Sequence, residues 1–143
     1  MSTDRKAEVV WQGDLIHGSG RIESSTSGVI GPLDVSWASR SEAPDGKTSP
    51  EELVAAAWAS CFAMALSNGL AKGGNPPERL ETSATLTFQP GEGITKGVLT
   101  VRATVPGIDE DAFGVAAEEA KKNCPVSKAL TGIPEVALVA ELA

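Results

Sequence analysis

The chain has 143 residues, the size of one domain, and at that length it can bury roughly 70% of its unfolded surface without disulfide or metal staples. Twelve basic against nineteen acidic side chains leave a net charge of -7, which argues against a partner bound through its phosphate backbone, and so against nucleic acid. No apolar run reaches the ~20 residues of a membrane span, and Met1-Ser2-Thr3-Asp4-Arg5-Lys6 leads into a strand pattern with no apolar signal core, so no membrane is expected and a cytoplasmic location is.

Short strands with turns occupy the first forty residues. Ala7–Trp11 is one and Arg21–Ser24 another, after the turn Gly18-Ser19-Gly20. Leu33-Asp34-Val35-Ser36-Trp37 alternates apolar and polar, the period of a half-buried strand, and a polar loop runs from Ser41 to Lys47. The pattern then changes. Ser49 as N-cap, Pro50 at the first helical position and Glu52 closing a capping box predict a helix start. The helix should run to Lys72, stopped by Gly73-Gly74-Asn75-Pro76-Pro77. Strands follow near Glu81–Phe88 and Thr95–Val105, then a helix from the N-cap Asp109 to Lys122. A short helical turn after Cys124-Pro125 and a strand near Glu135–Leu142 complete the pattern.

From Leu53 to Leu66 only Ser60 is plainly polar. A helix apolar on all faces has to be covered on all faces, and one small sheet with one other helix shields about half of it. A second copy of the chain is the expected cover. The fold class is therefore α+β, a homodimer with central helices and outer sheets. With only six aromatic residues and no tyrosine, its core is built mainly from Ala, Val, Leu and Ile.

Two cysteines and one histidine, His17, cannot complete a Cys/His zinc tetrahedron alone, so no metal is expected, and no CxxC occurs. Cys61 lies within the apolar helix, where a small buried hydrophobe is one reading. Cys124 follows Lys121-Lys122-Asn123. Those cations either favour its thiolate or complement the helix dipole from solvent. The two cysteines lie 63 positions apart, and a permanent disulfide is uncommon in a reducing cytosol. Two thiols that join only on oxidation fit a peroxidatic and a resolving cysteine, the first becoming a sulfenic acid and the second condensing with it. That chemistry needs a positive charge for the thiolate and a donor for the departing alkoxide, both suited to arginine. Arg21, Arg40, Arg79 and Arg102 are available, with Glu51 and Glu52 as carboxylates to hold one of them; the residue pattern does not choose among them.

Thr48-Ser49-Pro50-Glu51-Glu52-Leu53-Val54-Ala55-Ala56-Ala57-Trp58-Ala59-Ser60-Cys61-Phe62 resembles the helix motif of the OsmC/Ohr family, and Cys124-Pro125-Val126-Ser127 resembles its second-cysteine motif. The likeness extends over essentially the whole chain, from Trp11-Gln12-Gly13-Asp14 through Val105-Pro106-Gly107-Ile108-Asp109 to the closing strand. It implies a thiol-dependent peroxidase, an intertwined homodimer with antiparallel sheets wrapped around long buried central helices and active sites at the subunit interface. By position it implies Cys61 as the peroxidatic and Cys124 as the resolving cysteine, with Glu51 orienting the arginine. Arg40 matches the arginine of the OsmC branch, and Val126 also favours that branch; Arg21 is the nearest candidate for the Ohr arrangement. The implied reaction reduces organic hydroperoxides, and hydrogen peroxide less well, to the alcohol and water. It ends in a Cys61–Cys124 disulfide that an external dithiol, in this family often a dihydrolipoyl group, must reduce; no metal, flavin or haem is implied.

Glu51 and Cys61 are ten residues apart, ~15 Å along a continuous helix. If both serve one site, either the helix breaks or Glu51 and Arg40 act in trans, on the partner's cysteine. Plainer readings stand beside these: Glu51 as a helix-dipole carboxylate, Arg40 paired with Glu42, Trp58 as core rather than pocket wall, His17 as an exposed polar residue. Two other functions stay open on the same fold, an apolar-ligand-binding dimer and a redox sensor.

Overall fold

Glycine turns and short alternating segments build the first of two compact units, Met1–Leu53 and Val54–Ala143, in a computed structural model that describes residues 1–143. Strands β1 (Ala7–Gln12), β2 (Ser19–Ser25) and β3 (Leu33–Val35) form an antiparallel sheet in that order. Gly20 allows the Trp11 indole to lie against the backbone, since a Cβ there would come within 2.5 Å of the ring. The strand expected to reach Trp37 ends at Val35. Ser36 instead caps a short helix, α1 (Trp37–Ser41): its Oγ accepts from the Ser39 amide at 3.1 Å, and the Ser39 hydroxyl accepts from the Ser36 amide at 3.0 Å. Reciprocal capping of this kind satisfies amides that a strand end would leave open.

Helix α2 spans Pro50–Lys72 without a break. Ser49 Oγ accepts the Glu52 amide at 3.2 Å, as an N-cap should. The Glu52 carboxylate does not return the bond to Ser49; it accepts the Thr48 hydroxyl at 2.8 Å. The other end is a Schellman motif. Gly74 has a φ of +89°, its amide bonds to Ala71 O, and the Asn75 amide reaches back to Leu70 O.

Strands β4 (Arg79–Gln89), β5 (Gly93–Thr104) and β6 (Glu135–Leu142) form the sheet of the second unit, with helices α3 (Glu110–Asn123) and α4 (Pro125–Ala129) between β5 and β6. The β4–β5 pair is antiparallel as expected, but β5 and β6 run parallel, Lys96 opposite Glu135 through Ala103 opposite Leu142. A thirty-residue connection containing two helices returns the chain to the end of the sheet at which β5 began, as parallel pairs require. Trp58, Phe62, Leu66 and Leu70, four apart on α2, are buried with Leu99, Val101 and Ala103 of β5 and Phe113 and Ala117 of α3.

The opposite face of α2 is not covered within the chain: Met64 is 73% exposed, and Ala56 and Ala57 are exposed as well. The helix is also longer than the apolar run suggested. At 23 residues, with a mean hydropathy of 1.5 over its best 18-residue window, it meets the length and composition of a membrane span, a measure the core helix of a soluble protein meets too.

Candidate functional site

Pro125 places the second cysteine. It cannot extend α3, because it lacks an amide hydrogen, but it suits the first position of α4. Cys124 therefore forms the corner, ending α3 and capping α4 with φ −60° and ψ 119°. Its amide bonds back to Ala120 O at 2.9 Å. Its sulfur accepts the Ser127 amide at 3.5 Å, the bond an N-cap side chain makes to the third helical residue. The same corner brings Cys124 Sγ to 3.0 Å from Cys61 Sγ on α2.

Both are free thiols, Cys124 buried and Cys61 half-buried. A disulfide bond is about 2.05 Å, so closing it requires a movement of about 1 Å. Burial raises the Cys61 thiol, and its bond with Cys124 raises it further, against a lowering bond from the Val126 amide. Burial raises Cys124 too, but bonds from Cys61, from the Ser127 amide and hydroxyl and from the Val126 amide outweigh it and hold that thiol below its ordinary value. The two shifts run in opposite directions because the Ser127 donors face Cys124 and not Cys61.

Lys121 and Lys122 play no part in this: they pair with Glu118 at 3.5 Å and Glu119 at 3.4 Å along α3. Trp58 is core, as one reading had it. Its indole N–H also donates to Ser127 Oγ at 2.8 Å, a link the sequence reading did not contain, although a Cys N-cap followed by Pro and a Ser two residues later signals where the Ser127 amide must point. Beside Cys61 an open cleft of about 730 Å³ has apolar walls from Met64, Ala65, Ala116, Ala120 and Pro125, with Asn68, Lys72, Glu119 and Asn123 as its polar lining; apolar wall of this kind suits the organic part of a ligand.

The other two predicted site residues meet in the first unit. Arg40 Nε lies 3.1 and 3.2 Å from the two carboxylate oxygens of Glu51, and Nη2 lies 2.8 Å from Oε1. Glu51 is the buried charged residue of the chain, 7% exposed, so it is more than a dipole partner at a helix start. The partner of Arg40 is Glu51 rather than Glu42. Arg21 forms a separate exposed pair with Asp34 at 3.1 Å. His17 is exposed, and both its amide and its ring bond to Asp14. The four predicted residues thus form two pairs, Arg40–Glu51 in the first unit and Cys61–Cys124 in the second.

Residues 43–139 match the family model described as OsmC-like protein. The chain is 38% identical over 133 residues to Peroxiredoxin OsmC of Escherichia coli (strain K12), covering 91% of this chain and 92% of that protein, and equally to Peroxiredoxin OsmC of Shigella flexneri. Among solved structures, the organic hydroperoxide resistance protein OhrB of Bacillus subtilis superposes with a TM-score of 0.65 at 26% identity, covering 96% of this chain and 98% of that one. The organic hydroperoxide resistance protein OsmC of Legionella pneumophila, at 21% identity and a TM-score of 0.67, covers 96% of both chains and shares the fold.

Proposed function

The chain belongs to the OsmC-like protein family, and from that premise we propose that it is a thiol-dependent peroxidase whose Cys61 reduces organic hydroperoxides, and hydrogen peroxide less well, to the alcohol and water. The observation that carries the reading is the pair of free sulfurs 3.0 Å apart beside a cleft with apolar walls.

The reaction starts from Cys61 as thiolate, its proton given up to solvent, with the Cys124 S–H 3.0 Å away as donor. The thiolate attacks the terminal oxygen of ROOH and the O–O bond breaks. The departing alkoxide takes the proton from Cys124, giving ROH, Cys61 sulfenic acid and a Cys124 thiolate. That thiolate attacks the Cys61 sulfur and expels hydroxide, which takes a solvent proton to become water. The disulfide is returned to two thiols by an external dithiol, itself oxidised to its disulfide; a dihydrolipoyl group is one such reductant. Dependence on a reduced dithiol supports a cytoplasmic location.

The causes of the raised Cys61 thiol include no cation that would lower it, although Lys72 lines the same cleft. Arg40, forked onto Glu51, is the group suited to do so and to meet the alkoxide. Along the unbroken α2, ten residues separate Glu51 from Cys61, ~15 Å, so the active species in this reading is a homodimer in which Arg40 and Glu51 serve Cys61 of the partner subunit. The apolar face of α2 that the chain leaves uncovered supports that assembly. The family match crosses from one compact unit into the other, which supports reading them as one OsmC-like domain.

The test is to mix reduced protein with one equivalent of cumene hydroperoxide, count free thiols and map disulfides by mass spectrometry. Two thiols should disappear into an intramolecular Cys61–Cys124 bond, and Cys61→Ser should abolish the loss. Cys124→Ser should stall at a sulfenic acid on Cys61 or over-oxidise. Survival of both thiols would end the peroxidase reading.

A further inference from the structure

Ser127 stands between a group that can only donate and a sulfur that gains from donors. The Trp58 indole N–H, a donor only, is 2.8 Å from Ser127 Oγ. The Ser127 oxygen therefore accepts on that side, and its own hydrogen turns away from the ring. The amide of the same residue donates to Cys124 Sγ at 3.5 Å. The indole is fully buried and packs on the backbone of Gly97 in β5, where a Cβ would approach the ring to 2.7 Å. A buried ring on α2 thus sets the direction of a hydroxyl on α4, 69 positions further along.

We propose that Trp58 and Ser127 are positioning residues for disulfide closure: Trp58 fixes the Ser127 side chain at the start of α4, and the Ser127 amide holds the Cys124 sulfur in line 3.0 Å from Cys61. The inference rests on the peroxidase reading and concerns its second step, in which the Cys124 electron pair forms the S–S bond and the S–O bond of Cys61 sulfenic acid breaks to release hydroxide. Neither residue touches the peroxide. Both act through Cys124, keeping it pointed at the sulfur it attacks. The lowered Cys124 thiol agrees with this arrangement.

Two measurements test it. In a Cys61→Ser background Cys124 is the sole thiol, and its thiolate can be titrated by ultraviolet absorbance without any peroxide. Adding Ser127→Ala should raise its apparent pKa by about one unit, a tenfold change in the ionisation constant. Trp58→Phe, which keeps the ring packing and removes the N–H, should raise it by less, and Ser127→Thr should restore the parent value. With both cysteines present, stopped-flow mixing with cumene hydroperoxide separates sulfenic acid formation from closure. The ratio of closure rate to formation rate should fall about tenfold in Ser127→Ala and recover in Ser127→Thr. An unchanged titration in both Ser127→Ala and Trp58→Phe, or equal slowing of both steps, would overturn the proposal. Because the titration uses no peroxide, a protein that proved unreactive towards hydroperoxides would sink the peroxidase reading while the thiol titration still judged the Trp58–Ser127 link.

Discussion

At the scale of single residues, the placement of one proline decides where a sulfur points. Pro125 forces the corner that aims Cys124 at α2, and the chemistry then depends on which of two adjacent sulfurs holds a proton. Cys124 is held below the ordinary thiol value of 9.0. A group with a lowered pKa stays charged to lower pH, so closure of the disulfide should rise with pH and level off before 9.0, falling as pH drops through the lowered value. Stopped-flow measurement of the closure step alone, from pH 5 to 10, checks the sign; a closure rate still climbing steeply above 9.0 would contradict it, whereas sulfenic acid formation, which needs the raised Cys61 thiol ionised, should go on rising there. Arg40→Lys keeps a charge but loses the fork onto Glu51. Peroxide-dependent sulfenic acid formation should slow by ~10–100-fold with Cys61–Cys124 closure by a small disulfide oxidant unaltered.

Glu51, Cys61 and Cys124 stand inside the two motifs, while Arg40 lies outside both and is singled out from Arg21 only by likeness to the OsmC branch. Their pairing was not legible in the sequence. Arg40 could have answered Glu42 two residues away, and only the fold turns it to Glu51; Cys61 and Cys124 meet through a corner whose angle no spacing records. Ser127 stood in the sequence only as the last residue of the second-cysteine motif, and its hydroxyl acquires meaning only when a tryptophan 69 positions earlier donates to it.

At the scale of elements, the strongest local signals predicted best. The Ser49-Pro50 start and the Gly73-Gly74 stop bound α2 at the expected residues, and Asp109 caps α3 through the Ala112 amide at 2.8 Å. Asp109→Ala should therefore cost about 1 kcal/mol, read as a lowered urea midpoint with unchanged slope. Gly97→Ala should cost more, roughly 1–3 kcal/mol, because the Cβ meets a fully buried ring; thermal melting together with near-ultraviolet circular dichroism of the tryptophans reads both effects. The failures have physical causes. Leu33-Asp34-Val35-Ser36-Trp37 alternates like a strand, yet Ser36 and Ser39 also satisfy each other as a cap, and over five residues periodicity cannot decide between the two. The direction of β6 was carried by the length and helical content of the segment before it rather than by its own residues.

At the scale of the whole molecule, an apolar helix with one covered face asks for an occupant on the other. A second copy is the occupant proposed here, and it predicts a solution mass of twice the 14.7 kDa chain. Ala57→Glu adds a charge to the uncovered face with a good helix former. It should give a species of the single-chain mass by light scattering and lose peroxide turnover, while a small disulfide oxidant still joins Cys61 to Cys124. Dimers persisting in that variant, or full turnover by monomers, would count against a site completed in trans.

The parallel pairing of β5 with β6 also orders events during synthesis. β5 receives its second neighbour only after α3, the Cys124 corner and α4 have been made, because Glu135–Leu142 lies beyond them all. Until then a ribosome-bound chain carries Cys61 beside a sheet with an open edge, a template for pairing with another strand. Cys61 is thus made long before Cys124, which follows it by 63 positions, and the edge of β5 is covered last of all.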